Sequence, residues 1–264
     1  MPVITLTTDF GLQDGFIGTL KGVIWSICPA AQVADISQDI PAQDVLAGAR
    51  TLWRACTYFP VGTVHLAVVD PGVGTRRRAL AMHLGEWFFV GPDNGLFTLI
   101  LDEAGKNGWK TAIFQLTEPK YWLKNVSQTF HGRDIFAPVA AHIANGVPLS
   151  DLGPAIHDPV RLRIPQPEQT AQGWRAHIVG IDAFGNLATD LSADMLRKHS
   201  RVRVRVGRFE VRGVAHTYGE GSPGDLIILI DSAGQLEIAV VNGSAAQITR
   251  AQVGDMVEFE YPEQ

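Results

Sequence analysis

The chain has 264 residues, 46% of them hydrophobic and 19% charged, with a formal net charge of −5 at pH 7. That length predicts one large or two smaller domains, each able to bury a core. The negative balance excludes nucleic acid as the main partner, because phosphate binding needs a basic surface or patch, and Arg76 to Arg78 is too short to be one. No apolar run approaches the ~18 residues of a membrane span, and MPVITLTTDF lacks the basic start and long apolar stretch of a signal peptide, so a cytoplasmic protein is expected.

In chain order, Val3 to Thr8 alternates β-branched and apolar residues as a strand does and ends on Asp9, with Asp14 close behind. From Phe16, the apolar residues Ile17, Leu20, Val23, Ile24 and Ile27 recur at helical spacing until Pro29. Gln32 to Ser37 predicts a second strand, and Pro41 opens a second helix through Val45, Leu46, Ala49, Leu52 and Trp53. Val64 to Asp70 is the third strand. This alternation predicts a mostly parallel sheet covered on both faces. Cys28 and Cys56 fall within helix-like apolar patterns and form no C-x-x-C pair, so buried thiols are expected.

The third strand runs into AVVDPGVGTRRR, Ala67 to Arg78. It delivers Asp70 to a strand's carboxyl end, where open α/β sheets bind ligands, beside glycines that let a backbone approach closely and arginines that orient anions or water. A surface turn with solvated arginines is the plainer reading of the segment alone. Two short strands follow, Ala79 to Leu84 and Trp87 to Val90, then Gly91-Pro92-Asp93-Asn94-Gly95, whose acid and amide suit a turn before a ligand. Leu96 to Leu101 begins a helix, Thr111 to Leu116 is a strand, and Asp134 to Asn145 is a helix preceded by Phe130-His131-Gly132-Arg133. The polar segment 164–173 is the linker candidate between an α/β domain, 1–163, and a domain of short strands, 174–264. There Arg201, Arg203 and Arg205 alternate with Val202, Val204 and Val206, as on a strand with one charged, wet face.

Asp9, Asp70 and His131 all fall at element ends near glycines. Singly, Asp9 or Asp14 could cap a helix, Asp70 could pair with an arginine, and His131 could be a hydrogen-bonded, half-buried ring. A metal site from His65, Asp70, His83 and His131 has none of the close spacing of known metal motifs, so a metal-free site without a cofactor is expected. The G-V-G is no dinucleotide fingerprint, since Arg77 stands where the third glycine belongs.

Six ordered motifs resemble the S-adenosyl-L-methionine hydroxide adenosyltransferase family, adenosine-forming hydrolases related to fluorinating and chlorinating enzymes. They are T-D-F-G at Thr8, D-P-G-V-G-T-x-R at Asp70, G-P-D-N-G at Gly91, H-G-R-D at His131, I-D-x-F-G-N at Ile181 and N-G-S-A at Asn242. The resemblance implies an N-terminal α/β domain, a C-terminal β domain, and a homotrimer with active sites between subunits. It implies that Asp9 holds the ribose diol, that Tyr218 stacks on adenine, and that Asn186 with the backbone at Asn242 and Gly243 reads its edge. Asp182 and Ser232 would hold the amino acid end. Asp70, Arg77 and His131 would act on water, with either Asp70 or His131 receiving its proton. In the halogenating relatives the place of Asp70 is not acidic and a serine replaces Gly132, so this chain departs from them toward hydrolysis. A non-catalytic adenosyl-ligand binding protein and a metal-dependent hydrolase are the alternatives.

Overall fold

A computed structural model describes residues 1–196 and 202–261; Arg201 lies outside them. The chain divides into two compact units, Met1–Arg163 and Ile164–Gln264.

The first unit contains β1 (Val3–Thr8), α1 (Phe16–Ile27), β2 (Gln32–Ser37), α2 (Val45–Cys56), β3 (Val64–Val68), β4 (Ala79–Leu84), β5 (Trp87–Pro92), α3 (Thr98–Lys106), β6 (Thr111–Gln115) and α4 (Ala137–Ala144). Among the described residues they build a 6-stranded sheet in the order β2-β1-β3-β5-β4-β6. The run β2, β1, β3, β5 is parallel, whereas β4 is antiparallel to both its neighbours. Because strand side chains alternate, each strand feeds two cores. Ile4, Leu6 and Val68 face Leu20, Ile24 and Phe136 on one side, and Ala67, Val69 and Phe89 face Ala49, Leu52 and Ile100 on the other. Every residue of β3 is buried, as for a strand covered on both faces.

Among the element boundaries that move from those the sequence suggests, three bear on the site. The second helix starts at Val45, not Pro41: the Asp44 side chain caps it by accepting the Ala47 N–H at 2.9 Å, and Pro41 serves the preceding turn. Strand β3 stops at Val68, not Asp70. Its successor β4 is not its neighbour, so residues 69–78 must leave the sheet and arch over the end of β5, which lies between them. The helix expected from Asp134 begins at Gly132 as a single π-helical turn, Gly132–Phe136, before α4 takes over.

Cys28 and Cys56 are buried free thiols. Buried His65 pairs in register with Thr5, its Nδ1 lying 2.7 Å from the Thr5 hydroxyl, and its ring stacks on Phe89. Burial pushes its pKa down to about 3, so the folded protein holds this ring neutral while the unfolded chain protonates it near ~6.5. Stability from this residue is complete above the unfolded value and is lost as pH falls toward the folded one. Between pH 7.5 and 5 the loss should be about 2 kcal/mol. Urea unfolding at both pH values should show that decline shrinking in His65→Asn; an equal decline in both proteins would remove His65 as its source.

The second unit contains β7 (Glu168–Thr170), β8 (Gly173–Ile181), β9 (Leu187–Ser192), β10 (Arg203–Val206), β11 (Phe209–Arg212), β12 (Leu226–Ile230), β13 (Gln235–Val240), α5 (Ala245–Thr249) and β14 (Met256–Glu260). The pairings are antiparallel, in the order β11-β10-β14-β8-β9-β13-β12, with β7 on β8. The two ends of this path return toward each other, where the Ala215 N–H donates to the Ile228 carbonyl at 2.7 Å. The sheet therefore nearly closes on Ile178, Leu187, Val204, Ile238, Val257 and Phe259. Within the expected linker, Glu168–Thr170 instead forms a strand on β8. Val204 and Val206 point inward while Arg203 and Arg205 meet Glu210, Glu258 and Glu260, an exposed charge ladder. No helix of the described residues is long and apolar enough to cross a membrane.

Candidate active site

Just past β3, the chain turns tightly at Pro71 to Thr75, with the Val73 N–H donating to the Asp70 carbonyl and the Thr75 N–H to that of Gly72. Gly74 takes φ +77, and a Cβ there would run into the carbonyl oxygen of Gln128, so the turn can seat against the segment before His131 only with glycine. This fold-back returns Arg77 onto Asp70. Arg77 Nε lies 3.0 and 2.9 Å from the two carboxylate oxygens and a terminal nitrogen 2.6 Å from Oδ2. The Asp70 side chain is only 5% exposed. The guanidinium lies over the Phe136 ring, 5.1 Å from its centre.

The same terminal nitrogen of Arg77 is 2.8 Å from His131 Nδ1. A guanidinium only donates, so Nδ1 accepts and the proton of the neutral ring sits on Nε2. Burial, and then the neighbouring Arg77 charge, hold the His131 pKa below its ordinary value. His131 stands at the head of the π-helical turn, a distortion often found at functional sites. That turn is pinned from below by Asp134, which is fully buried and receives Arg133 Nε at 2.6 Å and both the N–H and O–H of Ser127. Burial works to raise the Asp134 pKa, but these hydrogen bonds outweigh it and the group is held low.

Asp9 leaves β1 with its Oδ2 accepting the Gln43 N–H at 2.8 Å, and Gln43 pays with a left-handed backbone, φ 65. Neither Asp9 nor Asp14 caps a helix: the N-cap of α1 is Gly15, with no side-chain cap. Phe10 packs edge-on against Phe16 and Phe130, and a Cβ on Gly132 would press on its ring at 3.3 Å, which holds the Asp9 strand end beside the segment carrying His131. The first unit thus gathers Asp70, Arg77 and His131 into one bonded group with Asp9 on an adjoining segment. His65 is not among them; it belongs to the core. Asp93 and Asn94 are turn residues with side chains turned inward, to Arg78 and to the Val69 carbonyl. A hollow of about 600 Å³ beside α3, β6 and residues 155–161 holds none of these groups.

In the second unit, Asp182 organises its own turn. Its Oδ1 accepts from the Phe184 and Asn186 N–H groups and its Oδ2 from the Asn186 amide. The turn is docked on the 242–246 segment, where the Ala246 N–H donates to the Gly185 carbonyl and Asn242 adopts φ 53 before Gly243. The turn carrying Asn186 thus adjoins the segment carrying Asn242. Tyr218, 49% exposed, donates its hydroxyl to Glu237 at 2.7 Å. Burial, then Glu237, with weaker contributions from Asp182 and Asp231, push its pKa up to about 12. A half-exposed aromatic ring with its hydroxyl held by Glu237 suits stacking on a flat ligand. Ser232 is exposed in the β12–β13 turn beside Asp231.

Two residues here received no role from the sequence. Glu237 is a buried acid among the apolar residues Leu236, Ile238, Ala239 and Val240 of β13, and that contrast was its signal. Phe184 is an aromatic in a polar turn, 78% exposed.

Residues 4–153 match the family model of the SAM hydroxide adenosyltransferase N-terminal domain, and residues 176–258 that of its C-terminal domain. The chain belongs to the SAM hydroxide adenosyltransferase family. Relatives named (R)-S-adenosyl-L-methionine hydrolase include one from Salinispora tropica, 44% identical and aligned over 96% of each chain. Another from Thermus thermophilus is 40% identical over 94% of this chain and 95% of its own. A fluorinase from Actinoplanes is more distant, at 28% identity over 90% of both. A solved Thermotoga maritima protein superposes with a TM-score of 0.90, 38% identical over 98% of this chain and 99% of its own.

Proposed function

We propose that this family member cleaves S-adenosyl-L-methionine with water at C5′, giving adenosine and L-methionine. The observation that carries the reading is the Arg77 guanidinium bridging Asp70 and His131. The C5′ carbon bears a sulfonium, a good leaving group that needs only an aligned nucleophile. As water adds and its proton passes to the Asp70 carboxylate, the positive charge of the sulfonium and the negative charge of the carboxylate cancel, and a site that excludes bulk water favours that. With Nδ1 bonded to Arg77, His131 offers an Nε2–H that orients the water oxygen but accepts no proton. Asp70 then takes it. A carboxylate is too weak a base to make free hydroxide, but once the C–O bond starts to form the attacking oxygen is strongly acidic and gives up its proton readily. The new C–O bond replaces the C–S bond, whose electron pair leaves as the methionine thioether. Orientation by Arg77 and His131 thus contributes more than basicity.

In this reading Asp9 holds the ribose diol, Tyr218 and Phe184 flank the adenine, and Asn186 with the Asn242–Gly243 backbone reads its edge. Asp182 and Ser232 face the amino acid end. No metal or cofactor enters the reaction. Incubation with S-adenosyl-L-methionine should release adenosine and methionine in equal amounts, at an unchanged rate after exhaustive chelation. Activity lost to the chelator and restored only by a divalent metal would overturn the metal-free reaction.

The two halves of this site are supplied by different subunits of a homotrimer. Mixing an Asp70→Asn protein with a Tyr218→Ala protein should then restore activity, because mixed trimers contain some sites with both wild-type residues. An inactive mixture, or an active monomer in sedimentation, would place both halves in one chain.

A further inference from the structure

The loop carrying Asp70 and Arg77 joins two strands that are not neighbours, and the turn that ends the strand between them lies under its arch. That turn is Gly91 to Gly95. A Cβ on Gly91 would meet the Ala67 carbonyl oxygen, so the turn starts flush against β3. Asn94 Nδ2 then donates to the carbonyl of Val69, the residue before Asp70, at 2.8 Å. Asp93 holds the other end of the loop. Its Oδ2 accepts Arg78 Nε at 2.7 Å and its backbone N–H donates to the Arg78 carbonyl at 3.0 Å, at the residue after Arg77. Asp93 Oδ1 accepts the Val160 N–H at 2.7 Å, and the terminal nitrogens of Arg78 donate to the Asp158 carboxylate at 2.8 Å and to its backbone carbonyl at 2.6 Å. Adjacent residues of one turn therefore fix both ends of the loop.

We infer that Asp93 and Asn94 are positioning residues that set the geometry of the Asp70–Arg77 pair by clamping the residues on either side of it. The inference rests on the reading of that pair as the group acting on water. Asp93 holds Arg78 through both its side chain and its backbone and is almost fully buried, so the clamp has little freedom to slacken. A misplacement of about 1 Å at reacting groups costs up to roughly 10²-fold in rate. Asn94→Ala should accordingly lower kcat about 10- to 100-fold, with KM and the calorimetric affinity for adenosine unchanged.

The deciding comparison makes Asn94→Ala in the wild-type and the Asp70→Asn backgrounds. If Asn94 acts through Asp70, its effect on kcat falls below about twofold once Asp70 is replaced. A readout independent of turnover accompanies it: exchange of the Arg77 Nε–H with solvent, followed by nitrogen-15 NMR, should speed up roughly tenfold or more in Asn94→Ala. Should Asn94→Ala not fold, Asp158→Ala carries the same two measurements, since that side chain is 80% exposed and its removal only loosens Arg78. It should cost about threefold in kcat, in the wild-type background alone. Equal losses in both backgrounds with unaltered Arg77 exchange, or a loss in adenosine affinity with kcat intact, would overturn the clamp. A wild-type protein that does not turn over S-adenosyl-L-methionine would overturn the reaction instead, and Arg77 exchange would still decide the clamp.

Discussion

Replacing Asp70 by Asn should lower kcat by roughly 10²- to 10⁴-fold, the range for loss of a positioned proton acceptor, while adenosine affinity stays within about twofold of wild type. An asparagine at 70 keeps one acceptor but turns an amide N–H₂ toward the Arg77 nitrogens that now sit 2.6 to 3.0 Å from both carboxylate oxygens. Donor then faces donor, Arg77 loses its seat, and the water loses both its orientation and its proton acceptor. Asp9→Asn should do the reverse. Its Oδ2 already accepts the Gln43 N–H, and the remaining acceptor positions are those that the proposed role offers to a ribose diol. Losing a charge-assisted hydrogen bond there, worth about 1.5 to 3 kcal/mol, should weaken adenosine binding with a smaller effect on kcat. Calorimetry with adenosine and steady-state kinetics on both variants separate the roles. Normal turnover in Asp70→Asn would return its loop to the status of a structural turn.

Arg77→Met should be damaging in two independent measurements. It leaves the Asp70 carboxylate nearly buried without its cation, and breaking such a pair costs about 3 to 5 kcal/mol, read as a lower urea midpoint. It also removes the donor shared with His131, so kcat should fall about 10²- to 10³-fold, as for loss of a preorganised donor. Arg77→Lys should restore part of the stability and little of the rate, because an ammonium supplies charge without the planar fork that reaches Asp70 and His131 together. Wild-type kcat in Arg77→Lys would show that the bidentate geometry has no part in the reaction.

Periodicity made much of this architecture legible. Val3 to Thr8, Gln32 to Ser37 and Phe16 to Ile27 carry clean strand or helix patterns, and the structure has them at those bounds. The misplaced boundaries fall where a side chain or the topology intervenes. Asp44 delays α2 by capping it, and β3 ends early because the sheet order, a long-range property, inserts β5 before β4. Strands β9 and β11 were not visible: LATDLS mixes an acid and a threonine into its alternation, and FEVR is too short to show a period. At the site, Asp70 and Arg77 are seven residues apart and their glycines advertise a fold-back. The bond from Arg77 to His131 spans 54 positions and no local pattern encodes it. The inward turn of Asn94 to Val69 was hidden for the same reason, since a turn motif fixes backbone shape and not which strand end its amide will meet.

The central claim is attack of water on C5′, and isotope placement tests it most directly. After turnover of S-adenosyl-L-methionine in oxygen-18 water, mass analysis should find one labelled oxygen in the adenosine, at its 5′-hydroxyl, and none in the methionine. Unlabelled adenosine, or label carried instead by an amino acid fragment alongside methylthioadenosine, would contradict it.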